Sequence, residues 1–143
     1  MKTEKKLTLP GLFQETLQKY PEAKALGFVN EKPLTYKEVD VQIQAVISFL
    51  ENGGFKPGDK IAILSSNMPN WGIVYYAITF MGAVVVPLLP DFQPHEIEKT
   101  LKHSETKGIF VSKNLKPKLV EIDGISNIKQ IGIENFHSLN QAE

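Results

Sequence analysis

The apolar positions of this chain change period from segment to segment, and each change marks an element. Leu12, Phe13, Leu17 and Tyr20 predict a short amphipathic helix that ends before Pro21. Residues 25–29 and 32–35 read as two short strands around a turn at Asn30-Glu31. Thr35-Tyr-Lys-Glu38 has the spacing of a capping box, and Val39, Ile43, Val46, Ile47 and Leu50 then fall on one helical face. Gly53-Gly54 stops that helix. Lys60 to Ser65 is a continuous apolar run without alternation, the pattern of a strand covered on both faces. The helix expected after Pro69 is apolar nearly all round, through Trp71, Val74, Tyr75, Ile78 and Met81, which predicts deep burial. Residues 83–88 read as the next buried strand, and Pro94 opens a helix with Glu96 and Glu98 in its first turn. A strand over 107–111, a short helix over 114–121 and a strand over 128–133 complete the series.

Strands that alternate with helices predict an α/β fold, a Rossmann-like and mostly parallel sheet with helices on both faces. The 143 residues suit one such unit. Residues 1–8 and 136–143 have no partner element and are expected to be flexible.

Composition narrows the function classes. Sixteen basic residues balance sixteen acidic ones, which argues against a nucleic-acid-coating protein. All the basic residues are lysines, so no guanidinium fork is available for a phosphate or a guanine edge. The absence of cysteine removes disulfides, thiolate metal sites and thiol nucleophiles. His95, His103 and His137 share no metal-binding spacing, so no metal site is expected. The segment 61–90 carries no charge and is long enough to span a bilayer. Pro69, Gly82 and Pro87 divide it, however, and a helix followed by a buried strand accounts for both halves. A soluble, cytoplasmic protein without a transmembrane segment is therefore expected.

The catalytic signatures are missing. No glycine fingerprint of a dinucleotide site is present, no glycine loop ends in lysine, and no glycines bracket Ser65 or Ser66 as a nucleophile elbow requires. Asp40, Asp59, Asp91 and Asp123 do not pair as a carboxylate dyad. No catalytic residue is expected in this segment. Several tempting residues have ordinary readings: Trp71, Tyr75 and Tyr76 as core rather than an acyl pocket, Asn67 as a helix N-cap, His95 and His103 as helix surface, and Gly58-Asp59 as a turn.

Ordered phrases say more. Leu34-Thr-Tyr-Lys-Glu-Val39 is followed by Gly58-Asp-Lys-Ile-Ala-Ile-Leu-Ser-Ser-Asn67 and by Pro69-Asn-Trp71. Then come Gly82-Ala-Val-Val-Val-Pro-Leu88, Pro94-His-Glu-Ile97 and Ile109-Phe-Val-Ser112. Each phrase alone is weak. In this order, from about Leu9 to the end, they resemble the N-terminal region of the AMP-dependent adenylate-forming enzymes, and most of all the long-chain fatty acid–CoA ligases.

The resemblance implies part of the larger N-terminal domain of the adenylate-forming fold. It also implies a reaction in which a fatty acid and ATP, with Mg2+, give an acyl-adenylate whose acyl group passes to CoA. The phosphate loop, the adenine and ribose motifs and the C-terminal lysine of the family lie beyond this segment. The chain alone is therefore expected to be inactive and to bind none of these molecules demonstrably, and the rest of the synthetase is its expected partner. The same resemblance places a CoA subsite near Asp91, in the turn after the Gly-Ala-Val strand, and near Lys116 and Lys118, which would hold the CoA phosphates. Asp91 departs from the glycine of some relatives, and its carboxylate would repel a phosphate. From Lys99 to Lys118 six lysines face only Glu105, a local excess of positive charge that reads either as an anion patch or as a solvated helix face. Two alternatives stay open: transfer to an acyl carrier protein, and a non-catalytic interaction module that self-associates through the face a missing domain would cover.

Overall fold

The computed structural model describes residues 9–26, 34–66 and 68–134. The predicted chain ends, the turn at Asn30-Glu31, Asn67 and His137 lie outside them. Helix α1 (Leu9–Lys19) precedes two short strands, β1 (Lys24–Leu26) and β2 (Leu34–Thr35), which pair antiparallel. Helix α2 (Tyr36–Asn52) follows, and then the repeating unit begins: β3 (Lys60–Leu64), α3 (Pro69–Phe80), β4 (Val84–Leu88), α4 (Pro94–His103), β5 (Gly108–Val111), α5 (Lys116–Val120) and β6 (Lys129–Gly132). The last four strands form one parallel sheet in the order β4-β3-β5-β6.

The capping box is in place. Thr35 N–H donates to Glu38 Oε1 at 2.9 Å, and Glu38 N–H donates to Thr35 Oγ1 at 3.1 Å. Two amides that lack a helical acceptor are thus satisfied by two side chains. Helices α2 and α3 both end on a left-handed glycine, Gly54 at φ 93° and Gly82 at φ 85°. That turn lets Phe55 N–H reach Leu50 O and Ala83 N–H reach Ile78 O. Helix α4 ends the same way, with Thr106 N–H on Leu101 O, but Glu105 occupies the left-handed position at φ 55°.

Side chains of the central strands alternate between two cores. Ile61, Ile63, Phe110 and Ile131 join Val39, Ile43, Val46 and Leu50 of α2 and Ile73, Val74, Ala77 and Ile78 of α3. Ala62, Leu64, Ile109 and Val111 meet Ile97 and Leu101 of α4 and Leu119 of α5 on the opposite face. The sheet therefore carries helices on both faces, and the uniform apolarity of β3 and β5 follows from double coverage.

Three expectations change. Strand β4 is not buried: among the described residues it lies at the edge of the sheet, Val84 and Pro87 are exposed, and only Leu88 of its five residues is fully covered. Helix α3 buries one side, while Trp71, Tyr75, Tyr76 and Phe80 on the other remain half-buried, because a helix lying on a sheet can cover only part of its circumference. The N-cap of α3 is Met68, in an extended conformation and with no side-chain cap bond; Pro69 at the first turn removes one of the amides a cap would serve. Among the described residues no helix is long and apolar enough to cross a membrane.

Candidate functional site

In an open parallel sheet, ligands collect outside the carboxyl ends of the strands, where successive crossovers leave in opposite directions. Here the chain runs from β3 outward to β4 and returns past β3 to β5, so that point lies between β3 and β5. The residues just beyond the two strands are small and polar. Ser65 and Ser112 are buried, at 3% and 0% exposure, and each is satisfied. Ser65 Oγ–H donates to Ser66 O at 2.7 Å, and Ser112 Oγ–H donates to Asn114 Oδ1 at 2.7 Å. Ser66 N–H crosses to Ser112 Oγ at 3.3 Å. This last bond staples the two loops, so the mouth between β3 and β5 is closed by the protein's own hydrogen bonds.

The neighbouring loops are tied in the same manner. Asn70 Nδ2–H donates to Ile133 O at 2.8 Å and links the start of α3 to the end of β6. Lys113 N–H donates to Glu134 Oε2 at 2.9 Å. The contacts between loops are not visible as local spacing, since their partners are 46, 63 and 21 residues apart; the hints were Ser66, Asn70 and Ser112, each inside a quoted phrase.

Beside the staple, α5 meets the turn after β4. Lys118 Nζ donates to Pro90 O at 2.6 Å and to Phe92 O at 2.9 Å, so the ammonium spans the turn that carries Asp91. An ammonium has three donors, and one remains for an external acceptor. Lys116 N–H donates to Ser112 O at 3.0 Å, and its side chain is half-buried two residues from Lys118. Asp91 is exposed. The tertiary structure thus brings the turn and both lysines to the carboxyl edge of the sheet.

It also divides the lysine-rich run. Lys113, Lys116 and Lys118 follow β5 at this edge, whereas Lys102 and Lys107 stand at the opposite end. There they join Lys60 and Lys129, with Asp59 and Glu105, around an open cleft of about 810 Å3. That cleft is large, but it lies at the amino ends of the strands, where α2 and α4 end at their C-caps, Gly53 and Ser104. Helix C-termini attract cations and repel anions, which suits lysines here, and Lys102 is also paired with Glu98 at 2.6 Å. Lys129 shows the pattern: its Nζ sits against Gly53 and 5.8 Å from the Phe49 ring centroid.

His95 and His103 are exposed on α4. Trp71 stacks on Tyr75 at 5.2 Å, Tyr75 meets Tyr76 edge-on at 6.5 Å, and Tyr76 meets Phe80 at 5.8 Å, an aromatic row packed against the α2–α3 core. Burial, with Tyr36 and Tyr75 nearby, raises the Tyr76 hydroxyl above its ordinary value of 10.0. Among the described residues no three His, Asp or Glu side chains are grouped to hold a metal ion.

The AMP-binding enzyme family matches residues 13–141. The chain belongs to that family. It is 28% identical over 124 residues to a long-chain-fatty-acid–CoA ligase of Bacillus subtilis, a match that covers 87% of this chain and 22% of the relative. It is 29% identical over 123 residues to the polyketide synthase PksN of the same organism, covering 86% of this chain and 2% of that one. Among solved structures, the N-terminal subdomain of Klebsiella oxytoca NpsA, in complex with 3-hydroxybenzoyl-AMSN, superposes with a TM-score of 0.68 at 28% identity. That superposition covers 72% of this chain and 26% of the NpsA chain. The parallel sheet is therefore that of the adenylate-forming fold, and the chain spans about a fifth of the curated ligase it matches.

Proposed function

We propose that the chain is the N-terminal portion of a fatty acid–CoA ligase. In the complete protein a fatty acid and ATP, with Mg2+, would give an acyl-adenylate and pyrophosphate, and the acyl group would pass to the thiol of CoA. The observation that carries this reading is the similarity to the Bacillus subtilis long-chain ligase along 87% of the chain. The carboxyl edge supplies the part this segment would play. Lys116 and the free donor of Lys118 would hold the CoA phosphates, while Lys118 keeps the adjoining turn in place. The similarity to a polyketide synthase favours one other acceptor, a thiol carried on a carrier domain.

Purified from its source cells, the protein is expected to be several times heavier than 16.0 kDa and to catalyse ATP–pyrophosphate exchange that depends on fatty acid. The 143-residue chain alone should give none. Exchange by the isolated chain, or a longer product indifferent to fatty acids, overturns the proposal.

The CoA assignment has its own test. In the longer product, Lys116→Glu should raise the KM for CoA about fivefold and leave the KM for ATP unchanged, since an exposed charge contact contributes up to about 1 kcal/mol. An unchanged KM for CoA removes Lys116 from the site.

A further inference from the structure

At the amino end of the sheet Lys60 opens β3, Lys129 opens β6 and Lys107 directly precedes β5. With Lys102 of α4 they line the open cleft, against the two carboxylates of Asp59 and Glu105. Two of the four lysines have a local reason to be there. Lys129 stands at the end of α2 and Lys102 in the last turn of α4, where the helix dipole favours a cation. Lys102 also has its partner in Glu98.

Lys60 and Lys107 have neither. Lys107 N–H donates to Lys60 O at 2.8 Å, so the two residues are neighbours across the ladder. Side chains alternate along a strand, and Ala62 and Ile109, two residues further on, both enter the core under α4 and α5. Lys60 and Lys107 therefore leave the sheet on that same side, one beside the other. Two ammoniums so placed repel. Among the described residues neither has a carboxylate within ion-pair distance. Asp59, the nearest acid in the chain, accepts from Lys56 N–H at 2.8 Å through Oδ2. The cleft walls are bare backbone: nothing lies within 4 Å of where a Cβ would sit at Gly58, and one at Gly124 would lie 3.3 Å from Lys102 Nζ.

We propose that this cleft binds a small multivalent anion of the oligophosphate class, with Lys60 and Lys107 as its main contacts and Lys102 and Lys129 at its flanks. An anion held between Lys60 and Lys107 replaces their repulsion by two attractions. Lysine meets phosphate as a point charge from any direction, and ammoniums spread along a cleft suit several phosphates in a row. A volume of about 810 Å3 has room for a free oligophosphate or for a nucleotide that carries one. The site lies at the opposite end of the sheet from Lys116 and Lys118, and it requires neither fatty acid nor CoA.

Titration of the 143-residue chain with inorganic tripolyphosphate, followed amide by amide by NMR at about 10 mM salt, tests the proposal. The amides of Gly58, Thr106 and Gly124 should shift and saturate with a dissociation constant below about 1 mM. Salt at about 0.15 M should weaken binding about tenfold. Lys107→Gln should weaken it about threefold, and Lys60→Gln with Lys107→Gln at least about tenfold. Lys99→Gln with Lys113→Gln, an equal loss of charge outside the cleft, should leave it unchanged. ATP without Mg2+ that binds at these amides more tightly than tripolyphosphate assigns the phosphates to a nucleotide; weaker binding assigns them to a free oligophosphate, and both support the site. Shifts that fail to saturate by about 10 mM, or that survive the loss of both Lys60 and Lys107, overturn it.

Discussion

Phe110→Ala is expected to destabilise the chain by about 3–5 kcal/mol, the range for removing a buried phenylalanine. The side chain is fully buried and belongs to β5, which has strand neighbours on both sides. It joins the core shared with α2 and α3, together with Ile61 and Ile63 of β3 and Ile131 of β6. Because these neighbours come from separate elements, none can move into the cavity without lifting a helix or breaking the ladder. A domain of this size has a total stability of about 5–15 kcal/mol, so the variant should populate unfolded chain at low urea. Urea unfolding followed by far-ultraviolet circular dichroism measures it. A loss below about 1.5 kcal/mol would show that the site relaxes and that this core is less rigid than its packing implies.

The second large effect comes from the opposite error, too much volume. Gly108 opens β5, and a Cβ added there would lie 2.6 Å from Phe55 Cζ and 2.8 Å from Phe55 Cε1. Phe55 is itself only 7% exposed, packed below the Gly53-Gly54 turn, and its ring must shift before any side chain fits. Gly108→Val should therefore cost about 2–3 kcal/mol, as overpacked core sites do. A double-mutant cycle separates the clash from any effect of valine on the strand. With Phe55→Leu in the background, the cost of Gly108→Val should fall by more than about 1 kcal/mol. Strict additivity of the two substitutions would show that the Phe55 ring is not what holds position 108 to glycine.

How far the sequence could be read follows from the range of the forces involved. The capping box at Thr35 and Glu38 depends on residues three apart, and it was legible for that reason. The same holds for the helix stop at Gly54 and the parallel βα units, where apolar period and turn residues are local signals. The N-cap of α3 was misassigned by one residue, because a proline opening a helix fixes the start only to within a position or so. The burial of β4 was misread because periodicity reports what a strand needs, whereas its neighbours decide what it receives. The lysine-rich run looked like a single patch along the chain, yet β5 runs through the middle of it and sends Lys107 and Lys113 to opposite ends of the sheet.

By itself the sequence determined the fold class, the order of the elements and the family, since each rests on local patterning and on phrases kept in order. Tertiary structure decided what those phrases do together. It closed the mouth between β3 and β5 with Ser66 and Ser112, and it set Lys118 across the turn of Asp91. Each of these depends on two segments meeting at hydrogen-bond distance, and the strand order that makes them meet is a property of the packed sheet and not of any stretch of chain.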